Sequence, residues 1–260
     1  MANFMSLVHN ENIKIYRRIR TWVMLVILAG MGIMLPALVY LTGGNSSEIA
    51  LWDSFQMTVM VCFFMNTIFT VVIASDAVAG EFSWGTIKLL LIRPWSRSKI
   101  LLSKYVSLIL FSLFATALLL LCAYGSSMIF STQGVTSSVP EGWTEASYSL
   151  AMALCSYIQL FLTAALAFMV SAVFRASALA IGLSMFILFA KNIMLLIFNP
   201  STYPWANYLP FPHMDLSGYL SSATGPAGVS LWFSVGVLGA YYVLFLAVAW
   251  TVFSKRDVAA

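Results

Sequence analysis

Six runs of apolar residues, near 22–41, 54–74, 105–130, 149–173, 177–198 and 230–253, leave this chain few ways to fold. Each approaches or exceeds the ~20 residues a helix needs to cross a ~30 Å hydrocarbon core. Inside a bilayer no water satisfies backbone groups, so spanning segments are helices or closed barrels. The runs are continuously apolar rather than alternating at period two, which points to helices. Charged residues make up 8% of the 260, against about a quarter in a soluble domain, and the mean hydropathy is +0.93. The expected fold class is an all-α integral membrane protein with six transmembrane helices.

Basic residues orient the bundle, because Lys and Arg are retained in cytoplasmic loops. Of the 13 Lys and Arg, 12 fall before the first run, between the second and third, between the fourth and fifth, or after the sixth. The three intervening loops, near 42–53, 131–148 and 199–229, hold none and carry Glu48, Asp53, Glu141, Glu145 and Asp215 instead. Both termini are therefore expected in the cytoplasm of what reads as a bacterial cell membrane. A net charge of +4 follows from this topology and from anionic headgroups, so no nucleic-acid partner is expected. The first run follows 21 mostly polar residues and is long enough to span, so it reads as an anchor rather than a cleaved signal. Cys62, Cys122 and Cys155 lie within spans without metal-ligand spacing and read as small packing residues.

Two polar stretches flank the early spans. Phe4, Leu7, Val8, Ile15, Ile19 and Trp22 recur at helical spacing, opposite Asn10, Lys14, Arg17 and Arg18. Residues 1–21 are thus expected to form an amphipathic helix on the cytoplasmic interface, ahead of a six-span domain over 22–258. The segment 75–104 contains Gly80 and Gly85 at the spacing of a phosphate-binding loop, but Thr86 stands where that loop needs lysine. The run before it ends a membrane span, so a nucleotide site is not expected. Asp76 and Glu81 lie at the membrane exit, and Pro94 breaks the chain before Ser96, a candidate helix cap. A short amphipathic helix and a turn against the membrane face are expected, a rigid knob for a cytoplasmic partner.

The pattern Glu81-x-x-x-Gly85-Thr86, then Leu89-Leu90, Pro94-x-Ser96-Arg97, Ile100-Leu101 and Lys104 resembles the loop between spans two and three of ABC-2-type exporter permeases. The resemblance extends to "ENIKIYRRIRTW" at 11–22 and "FSKRDV" at 253–258. Many members carry an acidic residue where this chain has Gly80. The resemblance implies a dimer of permeases above two separate ATP-binding-cassette ATPase subunits, which would hold ATP and magnesium. The segment 75–104 would then form a coupling helix. Asp76, Glu81, Gly85, Thr86, Arg93, Pro94, Ser96, Arg97 and Lys99 would couple to the ATPase, with Glu11, Lys14, Arg17 and Arg18 on the N-terminal helix. Glu81 would pair with a basic residue of that helix. Plain interfacial anchoring is the alternative for each arginine.

Polar side chains within spans are the remaining candidates, since charges at membrane depth are costly and tend to mark function. Lys191 either lines a pathway or snorkels to the outer headgroups. Asn66 and Gln159 either contact substrate or join helices by hydrogen bonds. The loop 199–229 mixes five prolines with Tyr203, Trp205, Tyr208 and Phe211, and reads as a partly embedded, re-entrant lid or as an aromatic belt. His9 and His213 are the only histidines and lie on opposite sides, so neither a metal site nor an enzyme is expected.

The expected function is the membrane subunit of an ATP-driven exporter for a hydrophobic or amphipathic substrate, such as an antimicrobial peptide, a drug or a lipid. The alternatives are a gradient-driven carrier or channel, and an exporter of sodium ions or polysaccharide.

Overall fold

The computed structural model describes residues 4–42, 50–87, 95–131, 139–200, 202–222, 225 and 228–255. It is all helical, with no strand among the described residues. The helices are α1 (Phe4–Tyr16), α2 (Ile19–Thr42), α3 (Leu51–Asp76), α4 (Ala79–Ser83), α5 (Arg97–Phe130), α6 (Glu145–Val173), α7 (Ser177–Ile197) and α8 (Leu231–Lys255). Six of them, α2, α3, α5, α6, α7 and α8, are long and apolar enough to cross a membrane. Helices α3, α5 and α6 form the centre, with α2 against α5, α7 against α3, and α8 against α6.

Polar contacts fix the alternating direction of the helices. The end of α3 meets the starts of α2 and α7, where Arg18, Arg20 and Ser177 all bond the Asp76 carboxylate. Arg97 at the start of α5 donates to the Ser254 carbonyl near the end of α8 at 3.1 Å. At the opposite end, Ser127 of α5 reaches Ser54 of α3, and Gln56 of α3 donates to Ser149 of α6 at 3.0 Å. Lys14, Arg17, Arg18, Arg20, Lys99, Lys104, Arg175 and Lys255 all lie on the side of Asp76, the basic end.

A proline inside α2 shows how the bundle absorbs a local defect. Pro36 has no N–H to give the Gly32 carbonyl four residues earlier. Ser126 of α5 supplies the missing donor, with its hydroxyl 2.8 Å from that oxygen. Gly32 also lets α2 approach α5, since a Cβ there would stand 3.2 Å from the Cys122 Cβ. Small residues permit such close crossings in membranes, where apolar surface alone does not drive helices together.

Several element boundaries differ from the sequence reading, and three of them bear on the site. The N-terminal helix stops at Tyr16, and Ile19 already belongs to α2. The two carbonyls that end α1 are satisfied from α2, by the Thr21 hydroxyl on Ile15 at 2.7 Å and the Trp22 indole on Tyr16 at 2.8 Å. The apolar stripe therefore splits: Leu7 and Val8 are buried, whereas Ile19 and Trp22 face outward from another helix. The third spanning helix begins at Arg97 rather than 105, so Lys99 and Lys104 lie within it. Ser96 caps this helix, its side chain accepting from the Lys99 N–H. The second spanning helix runs on to Asp76.

The described residues of the segment 199–229 include three 3₁₀ turns, Pro204–Tyr208, Phe211–His213 and Ser217–Leu220. Met214 and Leu216 pack into one buried cluster with Leu162, Leu166, Leu238 and Phe245 of α6 and α8.

Candidate functional site at the basic end

The site is built from the corner where α3 turns into α4. Ala77 and Val78 break the helix, which leaves the first N–H groups of α4 without intrahelical acceptors. The buried Ser171 hydroxyl of α6 accepts from both Val78 and Ala79, at 3.0 Å each. Ser83 then ties α4 to the α6–α7 turn, accepting from the Ser177 N–H at 2.8 Å. The turn closes at Gly85, whose φ of +68° is the left-handed conformation glycine tolerates. Trp84 at its tip is 76% exposed. Gly80 lies inside α4, so the glycine pair forms no phosphate-cradling loop.

Glu81 projects from α4 into a network of ion pairs. It accepts from Lys14 of α1 at 2.8 Å, from Lys104 of α5 at 3.0 Å and from the Thr86 hydroxyl. Glu11 of α1 accepts from the same two lysines, at 2.8 Å each. Lys104 is the hub, with a side chain only 2% exposed. Burying a charge this deeply is costly unless partners and hydrogen bonds compensate it. Here two carboxylates do so. Burial alone would raise the Glu81 carboxyl, but the Lys104 charge and the bonds from Lys14 and Thr86 outweigh it and bring it down to about 2. Burial likewise opposes ionisation of Glu11, and the Lys104 and Lys14 charges again prevail, holding it below the ordinary carboxylate value. Lys14 shows the converse: burial disfavours its charge, but Glu11 and Glu81 hold it above the usual lysine value.

A second cluster lies beside the first. Asp76 accepts from Arg18 and Arg20 through one oxygen and from Ser177 through the other. A Cβ at Gly80 would stand 2.7 Å from the Asp76 carboxylate, so the glycine makes room for this pinned group. An acidic side chain at that position would add like charge as well as bulk. Between the two clusters opens a cavity of about 1510 Å³, lined from α1, α2, α3, α4, α5 and α7.

The other sequence candidates fall elsewhere. Lys99 stands over the Trp95 ring at 5.7 Å from its centroid, outside the cavity lining. Arg93 and Pro94 lie outside the described residues. Asn66 is fully buried and donates to Thr116 of α5 at 2.9 Å, joining two helices away from the cavity. Gln159 is half-buried on α6 and Lys191 half-buried on α7, neither of them lining the cavity. Sequence reading missed Lys104 as the hub. Its signal was present, because a lysine followed by an apolar run must find a partner once the helix is seen to start before it. Arg20 and the bridging Ser171 and Ser177 had no comparable signal.

Comparison with known proteins follows the whole bundle. Residues 21–259 match a family described as "Protein of unknown function (DUF2705)". The chain belongs to this family. It is 36% identical over 220 residues to the uncharacterized protein YhcI of Bacillus subtilis (strain 168), covering 80% of this chain and 67% of that one. It is 30% identical over 190 residues to the uncharacterized membrane protein YdbK of the same strain, covering 73% of this chain and 76% of that one. With six apolar helices and a relative named as a membrane protein, the chain is a multi-pass membrane protein. The family match corrects the resemblance to ABC-2-type exporter permeases, a family to which none of these similarities leads. The residues that carried the resemblance have local structural duties: Gly85 makes a left-handed turn, Ser96 caps a helix and Lys104 neutralises buried carboxylates.

Proposed function

We propose that this chain is the membrane subunit of an exporter that moves a hydrophobic or amphipathic molecule out of the cell, driven by ATP hydrolysed on a separate cytoplasmic subunit. The basic end faces the cytoplasm in this reading, in keeping with the retention of Lys and Arg on that side. One observation carries the proposal: the Trp84–Gly85 turn is exposed, while Glu81 beside it is ion-paired to both α1 and α5. A partner pressing on the turn would load two helices at once, one of which, α5, runs through the centre of the bundle. Such a connection suits a rigid-body switch whose two states a bound partner biases. A second copy of the chain would complete the pathway, and ATP with magnesium would sit on the partner.

The test is to purify the tagged chain gently from its native cells and identify what accompanies it in stoichiometric amount. The expected companion is an ATPase subunit, lost from Trp84→Ala and uncoupled from transport in Glu81→Ala. A chain that arrives alone even after crosslinking would replace this reading with a gradient-driven carrier.

A further inference from the structure

We propose that the cavity at the basic end is a binding site for one anionic phospholipid of the surrounding leaflet, with its phosphate at the α1–α2 corner and its chains along the apolar wall. The inference rests on the membrane-spanning fold alone and needs no ATPase partner.

The charges are not balanced. Lys14 and Lys104 are matched by Glu11 and Glu81, but Arg18 and Arg20 share the single carboxylate of Asp76. Arg17 lines the same cavity with no acidic partner among the described residues. Among the described lining residues two positive charges are therefore left over. Hydrogen-bond donors are left over as well: each guanidinium carries five N–H groups, and the Arg20 Nε is buried without an acceptor among the described residues. Planar guanidinium forks suit phosphate oxygens.

Part of the wall is apolar, including Ile73 of α3, Leu108 of α5 and Ile181 of α7, alongside polar residues such as Asn10, Thr21 and Ser107. At about 1510 Å³ the cavity exceeds the ~300–1,000 Å³ of ordinary small-molecule clefts. A soluble anion would leave most of this surface wet, whereas a lipid covers it. Position also favours lipid. The lining includes the first turns of α2 and α7 and the last turn of α3, where spanning helices reach headgroup depth. Trp22, exposed on α2 just beyond the corner, is a residue that favours that depth. Basic pockets between spanning helices are a recognised way to hold anionic headgroups.

The experiment is native mass spectrometry of the full chain in detergent, titrated with phosphatidylglycerol, with phosphatidylcholine of the same chains as comparator. The first phosphatidylglycerol should bind at least about fivefold tighter than phosphatidylcholine, and Arg17→Ala should weaken it about fivefold, the effect expected of one basic residue at a membrane surface. Arg17 makes no ion pair among the described residues, so its loss should leave the fold intact. Lys99→Ala removes an equal charge outside the cavity and should leave this first binding event unchanged. Equal binding of the two lipids would overturn the proposal, as would an equal loss in Lys99→Ala. Displacement of the lipid by millimolar inorganic phosphate would reassign the site to a soluble phosphate and overturn the lipid.

Discussion

The two ends of the bundle are held by different chemistry. At the basic end the ties are ion pairs between segments far apart in the chain, Lys104 reaching Glu11 across 93 positions. At the opposite end, neutral side chains join the helices, Ser127 to Ser54 and Gln56 to Ser149, and a further neutral cluster lies before α8. His213 is buried, and its Nε2 donates to the Asn207 carbonyl, which can only accept, at 2.7 Å. Its Nδ1 lies 2.7 Å from the Ser234 hydroxyl, which in turn meets Tyr219 at 2.7 Å. One end is therefore tied through buried charge, and the other through hydrogen bonds between neutral groups.

Breaking the hub should separate the two ends most clearly. Lys104→Met leaves Glu11 and Glu81 buried with only Lys14 between them, and should cost about 3–5 kcal/mol, the range for removing one partner of a buried pair. Thermal unfolding in detergent should show a large fall in Tm, and protease sensitivity should rise in α1 first. A Tm close to wild type would mean that the network contributes little.

His213→Ala tests the other end. It leaves the Asn207 carbonyl and Ser234 without their ring partners and should cost about 1–3 kcal/mol. Hydrogen exchange should quicken over residues 204–220 while α1 and α4 keep wild-type protection. Uniform quickening would show that the two ends are not separable.

Acid should sharpen the contrast without any mutation at the hub. The folded Glu81 carboxyl sits at about 2 against an ordinary 4.5. Because the folded value is depressed, its stabilisation is complete above about 4.5 and is lost as pH falls towards about 2. Tm should therefore decline below about pH 5 in the wild type, and more gently in Glu81→Gln, which starts lower. Parallel profiles would remove Glu81 from the acid response.

The smallest effect belongs to a single cap. Thr144 accepts from the Ser147 N–H at the start of α6, and Ser147 returns a bond to the Thr144 N–H. Thr144→Ala should cost ~1 kcal/mol, visible as a modest drop in Tm that leaves the basic-end ion pairs, and their acid response, intact.

The distance between what was legible and what was not follows the range of the forces involved. Six helices were legible because the tendency of 20 apolar residues to leave water depends on those residues alone. The gathering of Lys and Arg at one end was legible for the same reason, since each loop carries its own charge. The stripe from Phe4 to Trp22 misled because periodicity continues across a break that only α2 stabilises, through Thr21 and Trp22. The loop motif misled about family because a turn glycine, a capping serine and a buried lysine are demands of local geometry that unrelated membrane proteins share.

The sequence by itself thus determined that the chain spans a membrane, how many times, and which end gathers its positive charge. The tertiary structure decided what those charges do. That Lys104 stands between Glu11 and Glu81, that two arginines share Asp76, and that Ser126 repairs the bond lost at Pro36 all depend on the register between helices. Register is fixed by packing between side chains that the sequence keeps far apart, so no single segment carries it.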